Sequence, residues 1–174
     1  MVLTHVNPDG EANMVDISNK EVVHREAAAS GAVFMQKQTI ELIKNNQVKK
    51  GDVLSAARIA AISGAKKTSD LIPLCHNIPI NKIDVSFDIK DDHILIKSRA
   101  ICDAKTGIEM EALTAVSIAA LTIYDMCKAV DKAMTITNIK LEEKRKNQRI
   151  TFKIESVNVS EKKGVQKKSE AKRS

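Results

Sequence analysis

Aromatic residues are nearly missing from this chain, which has one Tyr, three Phe and no Trp in 174 residues. The core must therefore be built from Ala, Val, Ile, Leu and Met, and a platform for stacking nucleic-acid bases is disfavoured. No apolar run approaches the ~20 residues a membrane helix needs, and the opening Met1–His5 lacks the basic and apolar regions of a signal peptide. A soluble, cytoplasmic protein is expected. Cysteine is scarce and odd in number: Cys75, Cys102 and Cys127 form no CxxC pair. They read as buried free thiols in a reducing compartment, not as a disulfide framework. Cys75 and His76 are adjacent and have no second ligand pair at zinc spacing, so neither a metal nor a cofactor is expected.

What is present includes a formal charge of +6, which at first suggests nucleic acid. Its distribution argues otherwise. Between Lys144 and Ser174 stand 11 basic and 3 acidic residues, leaving 17 basic and 19 acidic in residues 1–143, a net of −2. The body is nearly neutral, and nucleic acid is not the expected partner. With 43% hydrophobic residues the chain is long enough for one core and too short for two. A single domain over residues 1–159 is expected, opened by an irregular arm (1–20) and followed by a Lys-, Ser- and Glu-rich tail (160–174) with little to bury, expected to be disordered.

Periodicity supplies the elements. The segment Val22–Met35 suits a strand better than a helix, since Ala32-Val33-Phe34 runs into a polar stretch. A helix is expected from about Lys37 to Asn45. Gly51-Asp52 supplies a cap for a second helix, Val53 to about Lys67, with Val53, Ala57 and Ala61 on one stripe. Alternation at Ile83, Val85, Phe87 and Ile89, a turn at Asp91-Asp92-His93 and a return through Ile94 and Ile96 make a hairpin.

The longest helix should run from about Gly107 to Lys132, with Thr106 and Glu109 at capping-box spacing. It is apolar on nearly all sides, so it needs cover on both, from the sheet and from something beyond, such as a second subunit. Strands are expected over Met134–Leu141 and Arg149–Val159, separated by a charged turn, Glu142–Gln148. Helices and antiparallel hairpins arranged in this way make a two-layer α+β sandwich.

Few residues stand out chemically. Asp125 and Lys128 lie three apart on the long helix, where their side chains can touch. The ordinary reading is a surface ion pair, yet the surrounding turn reads as buried, which makes a functional pair an equal alternative. Glu109 and Glu111 suit the positive end of the same helix whether or not they have another role. Glu111 and Asp125 are 14 residues, about 21 Å, apart along the axis. If both serve active sites, those sites are shared between chains.

Lys50, with the free amides of Gly51 and Asp52, offers a phosphate site, to which Arg25, Arg58, Lys66 and Lys67 could add charge. His76, held between Pro73 and Pro79, either faces a substrate or is a satisfied core histidine.

Taken in series, these stretches resemble molybdenum cofactor biosynthesis protein C, the cyclic pyranopterin monophosphate synthase family. The likeness is carried by His5-Val6-Asn7 with Met14–Ser18, Lys50–Val53 with Ala57–Ala60, Asp70-Leu71-Ile72-Pro73-Leu74-Cys75-His76, Thr106–Thr114 and Ala120–Val130. Ser69, in place of a bulky aromatic, and Asn77, where the family often has Pro, depart from it. The resemblance implies a ferredoxin-like subunit in a hexamer, a trimer of dimers, with active sites at subunit interfaces. It also implies a lyase that converts 3′,8-cyclo-7,8-dihydro-GTP into cyclic pyranopterin monophosphate and diphosphate.

Residue by residue, the resemblance assigns Asp125 as catalytic acid/base, Lys128 and Lys50 as catalytic lysines, and Leu74, Cys75, His76, Met110 and Glu111 as substrate-binding. Glu109, Lys66 and Arg25 match further pocket residues. Two rivals remain at this stage: a nucleic-acid-binding protein working through its tail, and a ferredoxin-like module that has lost the chemistry.

Overall fold

The structure, a computed structural model, describes residues 9–147. The expected strand Arg149–Val159, the tail 160–174 and the His5-Val6-Asn7 motif lie outside the described residues. Along the chain come β1 (Val23–Phe34), α1 (Lys37–Lys44), α2 (Val53–Ala65), α3 (Thr68–Leu71), β2 (Lys82–Ile89), β3 (His93–Ala104), α4 (Glu109–Cys127) and β4 (Thr135–Asn147). The four strands form one sheet in the order β2-β3-β1-β4, with every neighbouring pair antiparallel. This is the expected ferredoxin-like α+β sandwich, one sheet with helices layered on it.

Each element follows from local chemistry. β3 alternates strictly, with Ile94, Ile96, Ser98, Ala100, Cys102 and Ala104 turned into the core and their neighbours turned outward. Asp52 caps α2 as expected: its carboxylate accepts from Ser55 N at 3.0 Å and from Ser55 Oγ at 2.5 Å. Arg58, on the exposed side of α2, donates to the Val85 carbonyl at 3.2 Å and lies over the Phe87 ring, so it ties α2 to β2.

The core is aliphatic and small. Among the described residues its buried apolar side chains are Ala, Val, Ile, Met and Cys, whereas leucines such as Leu42, Leu54 and Leu113 remain partly exposed. Alanines at 112, 115, 119 and 120 bring α4 close to the sheet. That closeness requires Gly31 on β1, because a Cβ there would stand 2.7 Å from Val116 Cγ1 and 3.0 Å from Ile139 Cγ1. Truncating a fully buried Ile40, Ile94 or Ile123 to alanine would cost about 2–5 kcal/mol.

Several expectations are corrected. The long helix is shorter at both ends. Ile108, buried, takes the N-cap position with no side-chain cap bond, so Thr106 and Glu109 form no capping box. At the other end, the Val130 amide donates to the Cys127 carbonyl, three residues back instead of four, and the helix stops at Cys127. The second cover over α4 is α2 of the same chain. A Cβ on Gly64 would stand 2.6 Å from Ile118, and only positions such as Leu121 and Ile59 are left exposed.

The expected turn Glu142–Gln148 is instead strand up to Asn147. β4 stays paired with β1 as far as His24↔Asn147, absorbing two register shifts on the way. Its charges suit an edge strand, where one flank and one face remain wet. By length and composition α4 would suffice to cross a bilayer, but 56% of that stretch is buried within the fold.

Candidate active site

The sequence-predicted residues gather at the two ends of α4. At the C-terminal end, Lys50 reaches over from the turn before α2. Its Nζ donates to Asp125 Oδ2 at 2.8 Å and to the Asp125 carbonyl at 2.9 Å. Lys128, at the C-cap, approaches the other carboxylate oxygen, Oδ1, at 2.7 Å. The i,i+3 pair expected from spacing is thus a three-member network with one carboxylate between two ammoniums.

The shelter expected around it is absent, since the side chains of Asp125 and Lys128 are each 56% exposed and that of Lys50 is 45% exposed. The hydrogen bond from Lys128, followed by that from Lys50, holds the Asp125 carboxyl at about 2. Asp125 in turn raises Lys128. Asp125 and Lys128 thereby favour each other's charged forms, and the three groups satisfy one another's hydrogen bonds.

The phosphate site suggested for Gly51 and Asp52 is already in use. The Gly51 amide donates to the Val48 carbonyl, and the Asp52 carboxylate sits where an anion would bind.

The N-terminal end of α4 borders a cleft of about 490 Å³. The loop after α3 supplies Leu74, Cys75 and His76 to its wall, α4 supplies Glu109, Met110 and Glu111, and the arm crosses it at Val15 and Ile17. His76 Nε2 lies 2.8 Å from the Val15 carbonyl. A carbonyl only accepts, so Nε2 carries a proton, and in the neutral imidazole Nδ1 is left to accept. The imidazole is thus both anchored and part of the cleft wall, which joins the two readings that the sequence left open. Burial, with Glu111 nearby, pushes the Cys75 thiol up, which suits a wall residue more than a nucleophile.

Glu111 is a 4%-exposed carboxylate, its affinity for a proton raised by burial and further by Glu109. Glu109 folds back over Gly107, where it fills the space a side chain would take, and pairs with Lys144 at 3.3 Å. Arg25 stands at the rim. It donates to the Ala104 and Lys105 carbonyls at 3.0 and 3.2 Å, and it lines a smaller adjoining cavity with Lys144 and Lys146.

Lys66, exposed at the C-cap of α2, is not among the residues lining the cleft. Among the described residues, no group of three His, Cys, Asp or Glu is placed to hold a metal.

Two cations at this end were not singled out from the sequence: Lys20, in the cleft wall, and Lys144. Lys144 falls in the run whose charges suggest a turn, and only the pairing of β4 along β1 carries it to Glu109. Lys20 had no local signal at all.

The sequence model of the MoaC family matches residues 14–147, which include both ends of α4. A relative from Peptoclostridium acidaminophilum, named cyclic pyranopterin monophosphate synthase, is 51% identical over 157 residues, covering 90% of this chain and 100% of the relative.

Proposed function

The chain belongs to the MoaC family, and on that premise we propose that it is a lyase of molybdenum cofactor biosynthesis. It converts (8S)-3′,8-cyclo-7,8-dihydroguanosine 5′-triphosphate into cyclic pyranopterin monophosphate and diphosphate. The observation that carries this reading is the network in which Lys50 and Lys128 share the Asp125 carboxylate.

Opening a C–N bond and rebuilding a pyrazine ring require protons to be taken up and delivered at heteroatoms. A carboxylate touching two ammoniums holds both forms of the exchange within one cluster. Asp125 is the acid/base, Lys128 and Lys50 its catalytic partners. In the free chain this cluster is too polarised to exchange protons, because the carboxyl is held at about 2. Covering it with substrate and a neighbouring surface would penalise the charged forms and draw the carboxyl and ammonium affinities together.

The cleft supplies the binding half. Its volume suits a cyclised purine. Leu74 and Met110 offer apolar contact, and His76 Nδ1 an acceptor. Burial favours the neutral form of Glu111, and in that form the carboxyl offers a donor to a pterin-type ring. Glu109 and Arg25 are further pocket residues, with Arg25 beside Lys144 on the side assigned to the phosphates, whereas Lys66, outside this cleft, would serve the pocket of a neighbouring chain.

The catalytic network and the cleft lie about 21 Å apart along one helix, too far for one small substrate to bridge. The working site therefore joins the cleft of one chain to the network of its neighbour, within a homohexamer built as a trimer of dimers. The exposed Leu121 and Ile59, on the outer side of the helix layer between the two ends, are consistent with such a contact. A soluble, cytoplasmic setting and a single catalytic domain over residues 1–159 belong to the same proposal.

Purified, assembled protein supplied with the cyclised triphosphate should release diphosphate and yield the pterin. Absence of turnover by a correctly assembled oligomer would remove this reading.

A further inference from the structure

The reading above leaves Asp131 without a role, although it is among the most deeply buried polar side chains described. It is 1% exposed, and no ion pair to it is seen among the described residues. A carboxylate so placed must be held by hydrogen bonds, because its desolvation would otherwise be very costly. Its partners are three. Oδ2 accepts from the Gln36 amide at 2.7 Å and from Thr39 Oγ1 at 3.1 Å, and Oδ1 accepts from the Ala133 amide at 3.0 Å.

Two of these donors belong to the start of α1, whose own N-cap residue, Gln36, makes no side-chain cap bond. The capping that α1 lacks locally is thus supplied from 92 to 95 residues away.

The path from this cap to the catalytic network is short and stiff on both sides. In one direction, the Asp131 amide donates to the Cys127 carbonyl at 3.0 Å. That bond closes the turn after α4, where Lys128 is the C-cap and faces Asp125. In the other direction, α1 leads to Lys50 through a connection closed by Asn45 N to Glu41 O, Asn46 N to Ile43 O, Gln47 N to Leu42 O and Gly51 N to Val48 O. Val48 within it is buried. Lys50 therefore has little freedom to move unless α1 moves, and α1 is pinned at its start by Asp131.

We propose that Asp131 is the positioning residue of the active site: by capping α1 from the loop that follows Lys128, it sets the register between Lys50 and the Asp125–Lys128 pair. The inference rests on the assignment of that network as catalytic, and Asp131 itself, buried beneath it, does not touch substrate.

Steady-state kinetics on the assembled enzyme test it through Thr39→Val, Asp131→Asn and Asp131→Ala. Thr39→Val removes one donor, Asp131→Asn replaces one acceptor oxygen with an NH₂ group, and Asp131→Ala removes the cap. The expected result is a graded fall in kcat in that order, reaching on the order of 10- to 100-fold, with KM changed by less than about twofold, because alignment and not binding is lost. Asp131→Asn should add no further loss in a Lys50→Ala background, since the lysine it aligns is gone.

Unchanged kcat in folded Asp131→Asn, or losses that multiply independently in the double variant, would overturn the proposal. If Asp131→Ala does not fold, Thr39→Val and Asp131→Asn still decide the matter. Wild-type kcat in Lys50→Ala alone would instead show that the catalytic assignment had failed, and the positioning role with it.

Discussion

Lys50 Nζ touches Asp125 twice, at the side-chain Oδ2 (2.8 Å) and at the main-chain oxygen (2.9 Å). The second contact anchors the ammonium to the end of α4 itself, so that Lys50 does not depend on the carboxylate rotamer for its position. With Lys128 on the opposite oxygen, the carboxylate is held in a fixed plane.

Lys50→Ala, Asp125→Asn and Lys128→Ala should each lower turnover by about 10²–10⁴-fold while leaving the thermal unfolding temperature nearly unchanged. Proton-transfer groups contribute on that scale to rate, whereas exposed ion pairs contribute little to stability. Diphosphate release and a melting curve on each variant check both halves. Normal turnover in all three would remove the network from the catalytic machinery.

Subunits carrying Asp125→Asn mixed with subunits carrying His76→Ala should regain activity after joint unfolding and refolding. Some interfaces would then pair an intact network with an intact cleft. Two inactive pools that remain inactive when mixed as verified hetero-oligomers would place each site within one chain.

Gly107→Ala should raise KM far more than it lowers stability. The new methyl would enter space now held by the Glu109 carboxylate, and that flexible side chain must swing away, breaking its contact with Lys144. Kinetics alongside calorimetry separate the effects. A variant with wild-type KM would show that the Glu109 position is immaterial to binding.

Glu111→Gln should change how stability depends on pH. Burial raises the Glu111 carboxyl above its ordinary value of 4.5, so between that value and the raised one the folded state holds more protons than the unfolded chain. Stability then falls as pH rises through the window, because the folded protein must bear a buried charge that the unfolded chain exposes to water. The glutamine variant lacks this loss. The difference between the two stability curves should be flat below pH 4.5 and shift in favour of the variant above it. Parallel curves from urea titrations across that range would refute the buried-charge account.

Much of the fold was legible because its signals are local. The strand over β1, the cap at Asp52, the hairpin of β2 and β3 and the apolar faces of α4 each arise from spacings of two to four residues. The failures have local causes too. A capping-box spacing at Thr106 and Glu109 was outcompeted, because the buried Ile108 takes the N-cap and Glu109 turns toward Gly107 and Lys144. The charged run Glu142–Asn147 reads as a turn only until β1 is known to pair with it. The apolar turn around Asp125 suggested burial, but its carboxylate projects from the one side of α4 that neither the sheet nor α2 covers.

The sequence alone determined the class of fold, the composition of the core and the residues with chemistry to offer, because periodicity, caps and family motifs are written within a few neighbouring positions. Tertiary structure decided which of those residues meet: Lys50 with Asp125, His76 with Val15, Lys144 with Glu109 and Asp131 with the start of α1. Such contacts join segments tens of residues apart. They are settled by sheet register and by the packing of α2 on α4, and these follow only when the whole chain buries its apolar surface at once.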